Sequence, residues 1–175
     1  MLRGEAWMRL IGSSDVLRLT GLTADQLREW TGRRALILPD VPASKRGVKA
    51  QYSWQTVLVL RLAVVMRVRF HVELQAHRDL LAEALKLIRG TSFPALWGTT
   101  LAIYDLRRCE LFFGPNLTDG DVDALFLHLN EHLDVLSRGF ELSDPMAQLP
   151  LFPAVPIKRS GSSDNSVRIR EGLRS

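Results

Sequence analysis

The sequence predicts a mainly α fold. A helix-turn-helix amino-terminal half with a basic hairpin comes first. A small α+β module, a hairpin plus a helix, follows, and then a flexible carboxy-terminal tail. Three observations carry this. "TGLTADQLREW" (residues 20–30) sets a glycine turn directly before a short amphipathic helix. "WQTVLVLRLAVVMRVR" (residues 54–69) is a long apolar run of helical character. "TTLAIYD" and "CELFFG" read as two strands joined by "LRR". The expected divisions are residues 12–89, 91–150 and 151–175.

Each element has a local reason. Ser13 or Ser14 can cap a first helix that turns Val16, Leu17 and Leu19 inward, and Gly21 ends it. Thr23 opens the second helix, with Gln26 placed to complete a capping box and Asp25 suited to the helix dipole. Leu22, Leu27 and Trp30 share its inner face, and Gly32 ends it. "ALIL" is a short strand candidate. Pro39 and Pro42 break regular structure, "SKRGVK" turns at Gly47, and "KAQYS" returns as a second short strand.

Ser53 then caps the long apolar helix from about Trp54 to Arg69. "FHVE" interrupts, and a further helix runs from about Glu73 to Arg89, with Leu74, Leu80, Leu81, Leu85 and Ile88 inside. "GTSFPALWG" marks a boundary near residue 90. The hairpin follows, and a last helix is expected over about 119–138, with Val122, Leu125, Leu129, Leu133 and Leu136 as its stripe. The end is rich in Pro, Ser and Gly without sustained period, as an irregular arm would be.

Composition bounds the rest. At 175 residues, 46% apolar and 24% charged, the chain can bury a core and is not of disordered type. The single Cys109 forms no internal disulfide and no cysteine metal site, which suits a reducing, cytoplasmic setting. The start, "MLRGEAWMRLIGSSD", lacks an apolar stretch of signal-peptide length. "VLVLRLAVVM" is interrupted by Arg61 and falls short of the ~20 apolar residues that span a bilayer. No membrane segment is expected.

Net charge is +4, but it is unevenly placed: +7 over residues 1–90, −6 over 91–150 and +3 over 151–175. The first half can therefore attract a polyanion that the middle would repel.

Short helix, glycine turn, capped helix, basic hairpin and long helix follow in that order. Over residues 12–89 the chain resembles the MerR family of winged helix-turn-helix regulators. Thr20-Gly21-Leu22-Thr23 and Leu27-Arg28-x-Trp30 match the family's turn and its Leu-Arg-aromatic-aromatic signature. "RGVKAQYS" resembles its wing, and "RVRF" its break before a fourth helix.

The resemblance implies a homodimer on double-stranded DNA, with the second helix in the major groove and the wing along the backbone. Carried over by position, Thr23, Gln26 and Arg28 are the recognition-helix contacts. Arg33, Arg34, Lys45, Arg46, Lys49 and Tyr52 belong to the wing and its base. The residue types agree with these roles. Lys and Arg around a protruding loop neutralise phosphates, and Gln26 and Arg28 can pair with base edges. The start of the second helix can hold a phosphate. Three departures stand out. Glu29 replaces the first aromatic of the signature, Ala50 stands where the wing has arginine, and the family's long dimerisation helix is missing.

The sharpest competing motif is "HLNEH" (residues 128–132). It fits the inverted zinc-protease pattern, with His128 and His132 one helical turn apart and Glu131 as base. Leu129 and Leu133 form the core stripe, which makes a solvated helix face the better account. His71 and His77 lack convincing partners. No phosphate loop, nucleophile elbow or paired carboxylates are evident. Cys109 begins an apolar strand, where burial outweighs catalysis.

The expected function is sequence-specific DNA binding by a transcriptional regulator, without catalysis, cofactor or metal. A small-molecule or protein effector is left open. The alternatives are an architectural or phage-type accessory DNA binder, and a protein–protein adaptor acting through residues 99–138.

Overall fold

A computed structural model describes residues 9–44, 47–113 and 123–142. Lys45, Arg46, Val122 and the tail over 151–175 lie outside the described residues. Helices and small antiparallel sheets are mixed through the described chain, so the expectation of a mainly α fold is met only loosely.

Strand β1 (Ile11–Gly12) leads straight into helix α1 (Ser13–Thr20). The helix is capped by Gly12 and by no side chain, not by Ser13 or Ser14. The reason is the strand, which holds the backbone extended up to Gly12 and leaves Ser13 already helical. Val16 and Leu19 are buried, and Leu17 is partly so. Gly21 closes α1 at φ 74°, a left-handed conformation that favours glycine. The Thr20 hydroxyl bridges the turn, donating to the Val16 carbonyl at 2.7 Å and accepting the Leu22 N–H at 3.2 Å.

Helix α2 (Ala24–Arg28) carries the expected capping box. Gln26 N–H donates to the Thr23 hydroxyl at 3.2 Å, and Thr23 N–H donates to the Gln26 side-chain carbonyl at 2.9 Å. Leu22, Leu27 and Trp30 are buried as their spacing predicts. The helix does not end at Gly32. It widens into a π-helical turn over Glu29–Arg33. Ala35 then turns left-handed at φ 47°, and the Leu36 and Ile37 amides both donate to the Trp30 carbonyl, at 2.7 and 3.4 Å. With those amides spent, "ALIL" forms no strand; Leu36 and Ile37 are core residues instead.

The hairpin survives in reduced form. Val41 and Gln51 make an antiparallel bridge, and the Ser44 N–H donates to the Val48 carbonyl at 3.0 Å near the tip. Gly47 sits there at φ 81°. Strand β2 (Gln51–Tyr52) answers to "KAQYS", but its strand partner is β1, with Ile11 opposite Tyr52.

Ser53 caps helix α3 (Trp54–Phe70), accepting the Thr56 N–H at 3.3 Å. Asp40 accepts the Ser53 N–H at 2.7 Å and pairs with Arg89 at 2.8 Å. Burial opposes ionisation of Asp40, yet the Ser53 and Thr56 hydrogen bonds and the Arg89 charge hold its carboxyl below the usual range. The base of the hairpin is thereby tied to the start of α3. From Trp54 to Leu62 nearly every side chain of α3 is buried, as befits a central helix. His71 ends it in left-handed conformation, and a 3-10 turn (Leu74–His77) leads into helix α4 (Arg78–Arg89).

Three strands follow: β3 (Thr99–Tyr104), β4 (Arg108–Phe113) and β5 (Ala124–His128), in antiparallel order β4-β3-β5. Leu101 lies opposite Leu111 on one side and Leu127 on the other. The expected helix over 119–138 is corrected: Ala124–His128 is a strand, and only α5 (Asn130–Phe140) is helical. The reason is the free edge of β3, which takes up the backbone of "ALFLH". Leu101, Ile103, Cys109 and Leu127 face the core, and α4 packs against β4.

The boundary expected near residue 90 does not interrupt the core. Phe93 packs edge-on against Trp54 at 5.0 Å and against Trp97 at 6.4 Å. Helix α5 packs on α1 and α3, and one apolar cluster runs from Ile11 to Phe140.

Arg61, the charge in the middle of α3, fastens three helices. Its guanidinium donates to the Leu19 carbonyl at the end of α1 and, at 3.2 Å, to Nδ1 of His132 in α5. His132 is held down to about 4 from 6.5, chiefly by burial and next by Arg61, with Arg69 adding to this and Glu131 opposing it. Because the folded value is depressed, the unfolded chain takes up this proton first as pH falls. Stability is therefore full above about pH 6.5 and declines towards pH 4, by on the order of 1–2 kcal/mol after solvent screening. Denaturant titrations at pH 7 and pH 4.5 should show the loss. His132→Gln should remove most of it; an unchanged pH dependence in that variant would contradict this role.

Candidate nucleic-acid interface

The local reasons that shape α2 also decide which of its side chains face out. The capping box starts the helix at Thr23, and Leu27 and Trp30 take the inner face. Thr23, Gln26 and Arg28 are left exposed. Gln26 has its carbonyl oxygen engaged by Thr23, so its free amide N–H groups are what it can offer a base edge. The Thr23 hydroxyl likewise takes up the Gln26 N–H. Five residues long and capped by its own side chains, α2 does not supply the phosphate-binding helix start that its sequence suggests.

Arg28 stands between two depressions. On one side is a groove of about 730 Å³ between the helix pair and the hairpin; Arg28 and Lys49 line it with Leu17, Leu38 and Pro42. On the other is a cleft of about 280 Å³, lined by Arg28, Arg33 and Arg34 together with Arg67 of α3. Arg28 pairs with Asp25 at 3.3 Å. Exposed cations thus line a depression on either side of Arg28.

Lys49, Arg33 and Arg34 are exposed. Lys45 and Arg46 lie outside the described residues. Tyr52 lines the same groove as Arg28 and Lys49, but as a buried residue. It is 2% exposed, and its hydroxyl lies 3.4 Å from that of Thr31. Its ring packs in the core, where the pairing of β2 with β1 puts it.

Two participants were not apparent in the sequence. Arg67 sits 5.7 Å from the centre of the Trp30 ring, which fixes a cation beside α2. Its only local sign is that it is one of two arginines late in a largely apolar helix. Glu29 also finds its place. Its carboxylate bonds Arg34 Nε at 2.5 Å and lies 3.7 Å from Arg33. The acidic residue of the signature is thus the partner of two of the expected DNA contacts.

The competing chemistry does not assemble among the described residues. His128 is on strand β5, not on a solvated helix face, and its Nδ1 lies 2.9 Å from the Thr100 hydroxyl. His132 is on α5 and bonded to Arg61. His77 Nδ1 lies 2.9 Å from the Leu106 carbonyl. The buried Cys109 thiol is pushed up to about 12, by burial first and then by Glu83 and Glu110, so it stays protonated at neutral pH. Among the described residues, no helix is long and apolar enough to cross a membrane.

The chain matches no protein-family model and no curated protein.

Proposed function

We propose that this chain is a sequence-specific, double-stranded-DNA-binding transcriptional regulator of winged helix-turn-helix type. It resembles the MerR family in its turn and hairpin motifs and works by binding rather than catalysis. In this reading α2 enters the major groove, Gln26 and Arg28 meet base edges, and the hairpin bearing Lys49 follows the phosphate backbone. A homodimer places two such heads on a pseudo-palindromic site. The observation that carries the reading is that Arg28 of the exposed, capped α2 and Lys49 of the hairpin line one and the same groove.

Two other readings remain distinct. An architectural or accessory DNA binder would use the same cations without reading bases. An adaptor would use residues 99–138, where Phe113 and Phe126 are exposed. Selection of bound duplexes from a random pool separates the three. The regulator enriches paired half-sites related by two-fold symmetry, about one helical turn apart. Duplex recovery without an enriched sequence favours the architectural reading. No recovery of duplex at all removes DNA binding.

A further inference from the structure

Glu29 occupies an unusual position for an acidic residue beside a proposed DNA-contacting helix. Its side chain is only 31% exposed, against 83% for Arg33 and 42% for Arg34. Both guanidinium groups converge on it, and Arg34 is held from the far side by Glu73 at 3.8 Å. Arg67, stacked against Trp30, completes the wall of the same cleft. The cleft holds four arginines against Asp25 and Glu29, and it stays cationic with Glu73 counted against Arg34.

We infer that this cleft is a phosphate-binding site, and that the Glu29 carboxylate is a built-in stand-in for the phosphate. The inference rests on the DNA-binding reading for the source of the phosphate, but not for the chemistry of the site. A carboxylate gripped by two guanidinium groups marks where an anion is favoured. A phosphate offers more oxygens and more charge to the same donors, including bidentate pairing with arginine. The arginine side of these pairs is open to solvent, which screens and weakens them, so an arriving phosphate can reach the guanidinium groups and displace the half-buried carboxylate. Glu29 keeps Arg33 and Arg34 oriented while the site is empty and lowers phosphate affinity by competing for them. The carboxylate beside the DNA surface therefore acts as a brake on sequence-independent binding.

The test uses the full chain as wild type, Glu29→Gln and Arg34→Gln, with two probes. With duplex DNA, Glu29→Gln should bind every sequence about three- to tenfold more tightly. Its plot of log affinity against log salt should steepen by about one, because an arginine freed from its internal partner now displaces a counterion. A purely structural role for Glu29 would not move that slope. With inorganic pyrophosphate, the arginine Nε–H resonances of Arg33 and Arg34 should shift in the wild type. They should shift at lower concentration in Glu29→Gln and stay still for Arg34→Gln at the remaining arginine.

A pyrophosphate response without duplex binding would support the site with free phosphate compounds as its source, and would bring down the DNA reading alone. Duplex binding of unchanged affinity and slope in Glu29→Gln, with no pyrophosphate response, would overturn the inference and leave the DNA reading standing.

Discussion

Phe93→Ala is expected to cost about 3–5 kcal/mol, on the scale of a small domain's whole stability, and to unfold both halves of the chain together. Phe93 lies outside the helix-turn-helix segment, yet its ring is 1% exposed and wedged between Trp54 and Trp97. Truncation removes the transfer energy of a buried phenyl group and leaves a cavity that two indoles cannot easily close. Trp54 belongs to the same central helix that receives α1 on one side and α5 on another. Denaturant unfolding followed by tryptophan fluorescence and by far-ultraviolet circular dichroism should therefore show one shared transition, shifted to lower denaturant. Separate transitions, with the amino-terminal half unaffected, would show that the division near residue 90 is a true domain boundary.

The second large effect concerns binding. Arg28→Ala combined with Lys49→Ala is expected to weaken duplex DNA binding about 10- to 100-fold. The two cations face one groove from α2 and from the hairpin, both exposed and both outside the core. Lys49 should act as a phosphate contact, weakening all sequences alike and reducing the salt slope by about one. Arg28 stands on α2 itself, the helix proposed to meet base edges, so its loss should also relax sequence preference. Neither side chain is buried, so thermal stability should hardly move. A variant that keeps wild-type affinity and slope would put the DNA surface elsewhere on the molecule.

What could be read from the sequence was what is decided locally. The Thr23–Gln26 capping box, the Ser53 cap and the left-handed turn at Gly21 are each settled within a few residues, and each was legible. "ALIL" was not. Its short apolar run suits a strand, but its amides are captured by the Trp30 carbonyl after a π-helical turn that no spacing announces. Residues 124–128 failed for a different reason. Leu125 and Leu129 fit a helical stripe as well as Leu125 and Leu127 fit a strand, and the choice is made by a distant edge of β3.

The candidate surface divides in the same way. Exposure of Thr23, Gln26 and Arg28 follows from the face that Leu27 and Trp30 bury. Tyr52 was placed by resemblance alone, and its pairing with the distant Ile11 and its packing near Thr31 override that placing. Arg67 joins the site only when α3 is laid against the π-helical turn, whereas the partners of Glu29 are local, Arg33 four and Arg34 five residues further on.

In the proposed function this surface grips the phosphate backbone of duplex DNA. Equilibrium binding of the wild-type chain to duplex across a range of salt tests it most directly. Log affinity should fall linearly with log salt, with a slope reporting several phosphate contacts at about −0.9 each. Absence of duplex binding at low salt, or binding with no salt dependence, would contradict it.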